Sequence, residues 1–145
     1  PGWPSLAIFE DFERSAVDIN NAGLLMAPPY AILRLLQRHG LSLDAFDCVE
    51  IHEAFAAQVL CNLQALQNQD WCKSRVGLSS TKIPSIDRIN PRGGSIPLGH
   101  PFGATGARLV ASLATHLSET RQNSGLISIC AAGGLGMVAT LRKAE

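Results

Sequence analysis

The sequence predicts a layered α/β domain in the order βαβαβαββ, with a mostly parallel sheet. Three observations lead there. Short β-favouring runs alternate with apolar stripes of helical period, Gly and Pro clusters separate them, and the Gly133-Gly134 pair divides the last two short runs. The 145 residues, 46% of them hydrophobic, suffice for one core, since a chain this long removes roughly 70% of its unfolded surface from water. No internal repeat and no block of like charge divides the sequence, so residues 1–145 are expected to form a single domain.

The elements follow in order. Apolar stretches at 6–9 and 17–19 suggest the opening strand. Pro28-Pro29 suits a helix start, where a missing N–H costs nothing, and Ile32, Leu35, Leu36 and His39 recur at helical spacing before Gly40. A helix is expected over 29–39. Residues 46–51 read as a strand, and Phe55, Val59, Leu60, Leu63 and Leu66 read as the stripe of the helix after it. A third strand-to-helix unit is expected from Asn90 through Gly93-Gly94-Ser95-Ile96 and Gly99-His100-Pro101 into a helix marked by Ala107, Val110, Ala111, Ala114 and Leu117. Strands at 126–130 and 136–141 close the domain around the Gly133-Gly134 turn. In that arrangement His52, His100 and Cys130 each follow a strand, and open α/β sheets place their ligands at such ends.

Charge and cysteine usage exclude several classes. Twelve Lys+Arg balance twelve Asp+Glu, which leaves no broad basic face for nucleic acid and no polybasic segment for anionic lipid. No apolar run approaches the ~20 residues of a membrane span, and residues 1–4 lack the basic and apolar regions of a signal peptide. Cys48, Cys61, Cys72 and Cys130 form no C-x-x-C and are too few for a disulfide scaffold, so a reducing compartment is expected: the cytoplasm, or the mitochondrial matrix in a eukaryote. The start without Met leads to the expectation that the chain is a piece of something longer.

The glycines at 93–94, 99, 103 and 106 allow close approach to backbone N–H groups, but their spacing matches neither a dinucleotide fingerprint nor a P-loop. Packing of a helix against a strand is the plainer reading of them. His100, between Gly99 and Pro101, has a restricted backbone that can present its ring at a set angle, or it is simply a satisfied core residue. Cys130 precedes a small-residue turn whose N–H groups can stabilise a thiolate, which would tune the thiol downward from about 8.5; a buried inert cysteine is the alternative. Together they suggest acyl transfer. His52, Cys48 and Cys61 lack the paired spacing of zinc ligands, no G-x-S-x-G elbow marks a serine hydrolase, and no metal is expected. Cys61 and Cys72 read as packing residues, and His39 and His116 as surface or helix-end residues.

Three motifs taken together resemble the C-terminal half of thiolases: His52-Glu53-Ala54-Phe55-Ala56, then the run from Asn90 and Gly93-Gly94-Ser95-Ile96 through Gly99-His100-Pro101-Phe102-Gly103-Ala104-Thr105-Gly106-Ala107-Arg108, then Cys130-Ala131-Ala132-Gly133-Gly134-Leu135-Gly136. Met26-Ala27-Pro28-Pro29-Tyr30-Ala31-Ile32 resembles the family's entry into its first helix. His52, where many thiolases carry Asn, makes the set most similar to the 3-ketoacyl-CoA thiolases of fatty-acid β-oxidation complexes. The resemblance implies a five-stranded mixed sheet with helices on both faces. It also implies roles. His100 would activate a nucleophilic cysteine and help hold the thioester oxygen. Cys130 would be the acid/base that protonates the departing enolate and deprotonates incoming coenzyme A. His52 would complete one oxyanion hole, and the backbone at Ala132 and Gly133 would contribute to a second.

By the same resemblance, the acyl-carrying cysteine belongs to an N-terminal half, and Cys48, Cys61 and Cys72 do not lie in its sequence context. The chain alone is therefore expected to be inactive. The implied partners are that N-terminal half, in the same or a separate chain, further copies in a homo-oligomer of the complete enzyme, and a hydratase/dehydrogenase subunit, with no nucleic acid. No permanently bound cofactor is implied, only coenzyme A as co-substrate. Two alternatives stay open: a non-catalytic thiolase-like module that binds acyl-CoA or protein, and biosynthetic condensation through the same residues.

Overall fold

The structure is a computed structural model, and it describes residues 2–145. Its sheet has four strands, β1 (Ala7–Ala16), β2 (Cys48–Ile51), β3 (Ser124–Ala131) and β4 (Leu135–Lys143), in the order β1-β4-β3-β2. The β2–β3 pair is parallel, whereas β3–β4 and β4–β1 are antiparallel. The sheet is thus mixed, with four strands instead of five, and not mostly parallel. Helices cover both faces, as expected. Helices α2 (Ala27–His39), α3 (Ala56–Gln67) and α4 (Gln69–Val76) lie on one face, and α6 (Thr105–Glu119) lies on the other; two short helices, α1 (Ile19–Ala22) and α5 (Ser95–Leu98), join them.

Strand alternation divides β2 between two cores. Val49 and Ile51 join Leu35, Leu36, Leu63 and Leu66 on the α2 face, whereas Cys48 joins Leu109, Leu113 and Leu117 on the α6 face. Each leucine buried in this way contributes about 1.5–3 kcal/mol. On α6, Leu117 is buried as expected and Val110 and Ala114 pack against the same core, whereas Ala107 and Ala111 are exposed and Leu109 and Leu113, which remove more apolar surface from water, take the other buried places. On α3, Leu63 and Leu66 are buried as expected, but Phe55 and Leu60 are exposed and Gln58 and Asn62 take buried places. Cys72 packs in the core as expected, whereas Cys61 is exposed.

The opening strand is longer and more polar than its apolar stretches suggest. Asp11 and Glu13 are held by Arg38 at the end of α2, both at 2.8 Å, and His39 Nε2 lies 2.7 Å from Asp11. His39 and Arg38 hold the Asp11 carboxyl down, to about 2. The acidic residues of β1 thereby become its attachment to the helix. Residues 17–19 do not extend the strand, because Asp18 accepts a hydrogen bond from Asn20 N and caps α1.

The third strand is absent, and Asn90 explains why. Only Val49 and Ile89 form a parallel bridge, after which Asn90 turns into the left-handed region at φ 48°. Its side chain then takes over the pairing of β2. Asn90 Oδ1 accepts from Ile51 N at 2.7 Å, and Asn90 Nδ2 donates to Ile51 O at 2.9 Å. The edge of β2 is satisfied by an amide side chain in place of a strand. Asn90→Ala is expected to cost about 2–3 kcal/mol through these lost bonds, read as a lower urea midpoint; an unchanged midpoint would show that the edge is held by other means.

Candidate active site

Because β2 and β3 run parallel, their C-terminal ends lie on the same side of the sheet. His52 continues β2, with its N–H donating to Ser128 O at 2.8 Å, and Cys130 lies near the end of β3. His100 does not follow a strand as expected; it follows α5. The loop that carries it is tied to β2 through Glu53, whose carboxylate accepts from Asn90 Nδ2 at 2.6 Å and from Ile96 N at 3.0 Å. Gly94 permits this approach, since a Cβ there would collide with the Glu53 carboxylate.

The result is a cavity of about 480 Å³ onto which His52, His100, Cys130 and Ala132 all open, with apolar walls from Leu24, Phe55, Ile96 and Phe102. The two imidazoles lie against each other at a tilt of 39°, their centroids 4.2 Å apart. His52 is 2% exposed and Cys130 is 5% exposed, whereas His100 is exposed and packs against Phe102 at 5.0 Å. Of the backbone positions, Ala132 lines the cavity, and no acceptor among the described residues takes its N–H. Gly133 does not line it and forms the turn at φ 85°. Cys48, Cys61 and Cys72 also lie outside it.

Ser95, Thr105 and Arg108 join the site although nothing in the sequence assigns them a role there. Ser95 Oγ lies 2.7 Å from His52 Nδ1 and accepts from Arg108 Nη2 at 3.0 Å. Thr105 Oγ1 lies 2.6 Å from His100 Nδ1. All three occur inside the glycine-rich run, where a buried serine three residues before Leu98 gives no sign in the sequence that it meets His52.

Electrostatics separate the groups. Burial pushes the His52 imidazole down, and the nearby His100 and Arg108 charges push it further, so the ring is neutral near pH 7. Burial pushes the Cys130 thiol up, contrary to the expected lowering; the turn does not overcome the loss of water around the sulfur. Cys130 therefore keeps its proton. Glu50, on the α6 face of β2, is fully buried, and neither carboxylate oxygen has a partner among the described residues. Burial raises it to about 7, despite the opposing charge of Arg108.

These features define a mixed α/β domain with an imidazole–thiol site at the C-terminal ends of its parallel strands. The chain belongs to the thiolase family, whose description "Thiolase, C-terminal domain" matches residues 3–143. It is 42% identical over 138 residues to a probable 3-ketoacyl-CoA thiolase of Caenorhabditis elegans, covering 94% of this chain and 30% of that protein. It is 39% identical over 137 residues to the mitochondrial trifunctional enzyme subunit beta of Homo sapiens, covering 93% of this chain and 28% of that protein. A 3-ketoacyl-CoA thiolase of Alteromonas mediterranea is 37% identical over 136 residues, covering 93% and 31%. The chain thus spans less than a third of the length of these relatives.

Glu50 has a testable consequence for stability. Its folded pKa of about 7 exceeds its ordinary value of 4.5, so the folded chain holds a proton there that the unfolded chain releases. Its contribution is fully present below about 4.5 and is lost as pH rises through about 7. Glu50→Gln, which cannot ionise, is expected to gain on the order of 3 kcal/mol over wild type between pH 5 and pH 8. Urea midpoints at the two pH values read this, and a difference between the two proteins that does not widen would remove the assignment.

Proposed function

We propose that this chain is the C-terminal catalytic half of a 3-ketoacyl-CoA thiolase, which cleaves 3-ketoacyl-CoA with coenzyme A into acetyl-CoA and a shortened acyl-CoA. The observation that carries the reading is the convergence of His52, His100 and Cys130 on one cavity. The acyl-carrying cysteine comes from the N-terminal half. Consistent with that, Cys48, Cys61 and Cys72 lie away from the cavity, and Cys48 is buried with its thiol pushed up to about 12.

His100 takes the proton of that cysteine, and the cysteine sulfur attacks the 3-keto carbonyl. The bond between C2 and C3 then breaks, and the electron pair leaves with acetyl-CoA as its enolate. Cys130, which burial keeps protonated, donates its proton to the enolate carbon. Incoming coenzyme A gives its thiol proton back to Cys130 and takes the acyl group, and the cysteine sulfur released recovers its proton from His100. His52 donates to the thioester oxygen, and the Ala132 N–H to the second oxyanion. Gly133 supports that turn.

Part of the sheet supports a partner on the α6 face. Phe12, Leu135 and Met137 project there, half exposed, because α6 covers only the region around Ile127 and Leu141. A second thiolase half is the occupant we propose, followed by assembly of the complete enzyme into a homo-oligomer. The trifunctional-enzyme relatives further support association with a hydratase/dehydrogenase subunit. The location we propose is the mitochondrial matrix if the source is eukaryotic, as the human relative's name suggests, and the cytoplasm if it is bacterial.

Acetoacetyl-CoA thiolysis tests the reading. The chain alone is expected to be silent and the chain joined to a matching N-terminal half active, with His100→Ala and Cys130→Ala each lowering kcat by about 10²–10⁴. An inactive reconstituted pair would favour the non-catalytic acyl-CoA-binding module instead. Sedimentation tests the apolar face: the lone chain is expected to self-associate with rising concentration, and a persistent monomer at high concentration would contradict the proposed surface.

A further inference from the structure

We propose that Ser95, oriented by Arg108, is a positioning residue that sets His52 as the Nε2–H tautomer, so that His52 offers the cavity a donor while His100 offers it an acceptor. The proton count follows from the hydrogen bonds. An arginine side chain only donates, so Ser95 Oγ accepts from Arg108 Nη2 at 3.0 Å. The Ser95 hydroxyl has one proton of its own, and its remaining partner among the described residues is His52 Nδ1, at 2.7 Å. The serine therefore donates to Nδ1. A neutral imidazole whose Nδ1 accepts carries its hydrogen on Nε2.

The opposite placement, with His52 Nδ1–H donating to the serine, would leave the Ser95 proton without an acceptor among the described residues, at a site that is 5% exposed. A protonated His52 would strand it in the same way, and burial beside Arg108 and His100 already disfavours that charge.

Thr105 differs in one respect. The second partner of its hydroxyl is an acceptor, Pro101 O at 3.4 Å, instead of a guanidinium. Thr105 Oγ1 is thus able to accept from His100 Nδ1–H at 2.6 Å, which leaves the His100 Nε2 lone pair free. Two similar imidazole–hydroxyl pairs, with rings 4.2 Å apart, are biased toward opposite protonation by what stands behind each hydroxyl. The use of this pair in acyl transfer rests on the thiolase reading above; the placement of the protons does not.

Long-range ¹H–¹⁵N correlation spectra of the histidine-labelled chain at pH 8, assigned by loss of signal in His52→Gln and His100→Gln, read the tautomers directly. The expected result is Nε2–H for His52 and Nδ1–H for His100. Nδ1–H on His52, or the same tautomer on both rings, would overturn the proposal, and this reading of the wild-type chain does not depend on any Ser95 variant folding. Ser95→Ala is expected to turn His52 into a mixture of tautomers and Ser95→Thr to restore the single form; a single Nε2–H form in Ser95→Ala would equally overturn it. In the joined enzyme, Ser95→Ala is expected to lower kcat about tenfold or more with KM little changed, and Ser95→Thr to recover it. Opposite tautomers in an assembled protein without thiolysis would sink the thiolase reading and leave the proton placement standing.

Discussion

The side-chain amide of Asn90 is the contact on which the geometry of the site depends. By bonding to both the N–H and the C=O of Ile51, it closes the edge of β2 and turns the chain away from the sheet. The same amide reaches Glu53, and Glu53 in turn anchors Ile96 N at the start of α5. His100 is thereby delivered to His52 from a loop that has no strand of its own. A fifth strand in the same place would satisfy β2 equally well but would carry the chain past this end of the sheet. The amide gives up regular pairing and in return permits the turn.

Around that contact the molecule buries polar groups that an ordinary core would avoid. His52, Ser95 and Glu50 are each nearly or wholly removed from water, beside an arginine whose Nε and Nη1 have no partner among the described residues. Burying such groups is costly unless each proton and lone pair is matched. The Ser95–His52 pair is matched; the Arg108 Nε and Nη1 groups are not, and neither is Glu50. Its raised pKa is the sign of that mismatch. Stability is therefore lower here than hydrophobic packing alone would allow, and Arg108, one of the groups that lower it, holds the Ser95 hydroxyl that lines the reactive cavity.

Much of the site was legible because His52, His100 and Cys130 sit beside distinctive glycine-rich or small-residue turns, and the order of helices and strands around them followed from apolar period. What was missed shares a cause: polar side chains doing what backbone or apolar residues usually do. The polar middle of β1 gave no strand signal, since Arg38 and His39, which neutralise it, lie more than twenty residues away in sequence. Asn90 imitated a strand, and Gln58 and Asn62 replaced leucine positions on α3. The direction of the Cys130 shift was misread because the turn beside it is visible in sequence, whereas its burial is a property of the assembled sheet. Ser95 and Arg108 were legible as members of a motif but not as partners of a histidine forty-three residues earlier.

The pairing of Ala7 with Lys143 bears on how the chain reaches this state. Almost the entire sequence lies between those partners, and contacts of such separation are the slowest to form, because the entropy of loop closure must be met before they repay it. During synthesis β1 emerges before β4 and waits for it with its edge open. The interval before β4 appears is therefore when that open edge is most exposed to aggregation. The reactive cavity, built at the C-terminal ends of the parallel pair, likewise waits for β3, which lies far from β2 in sequence.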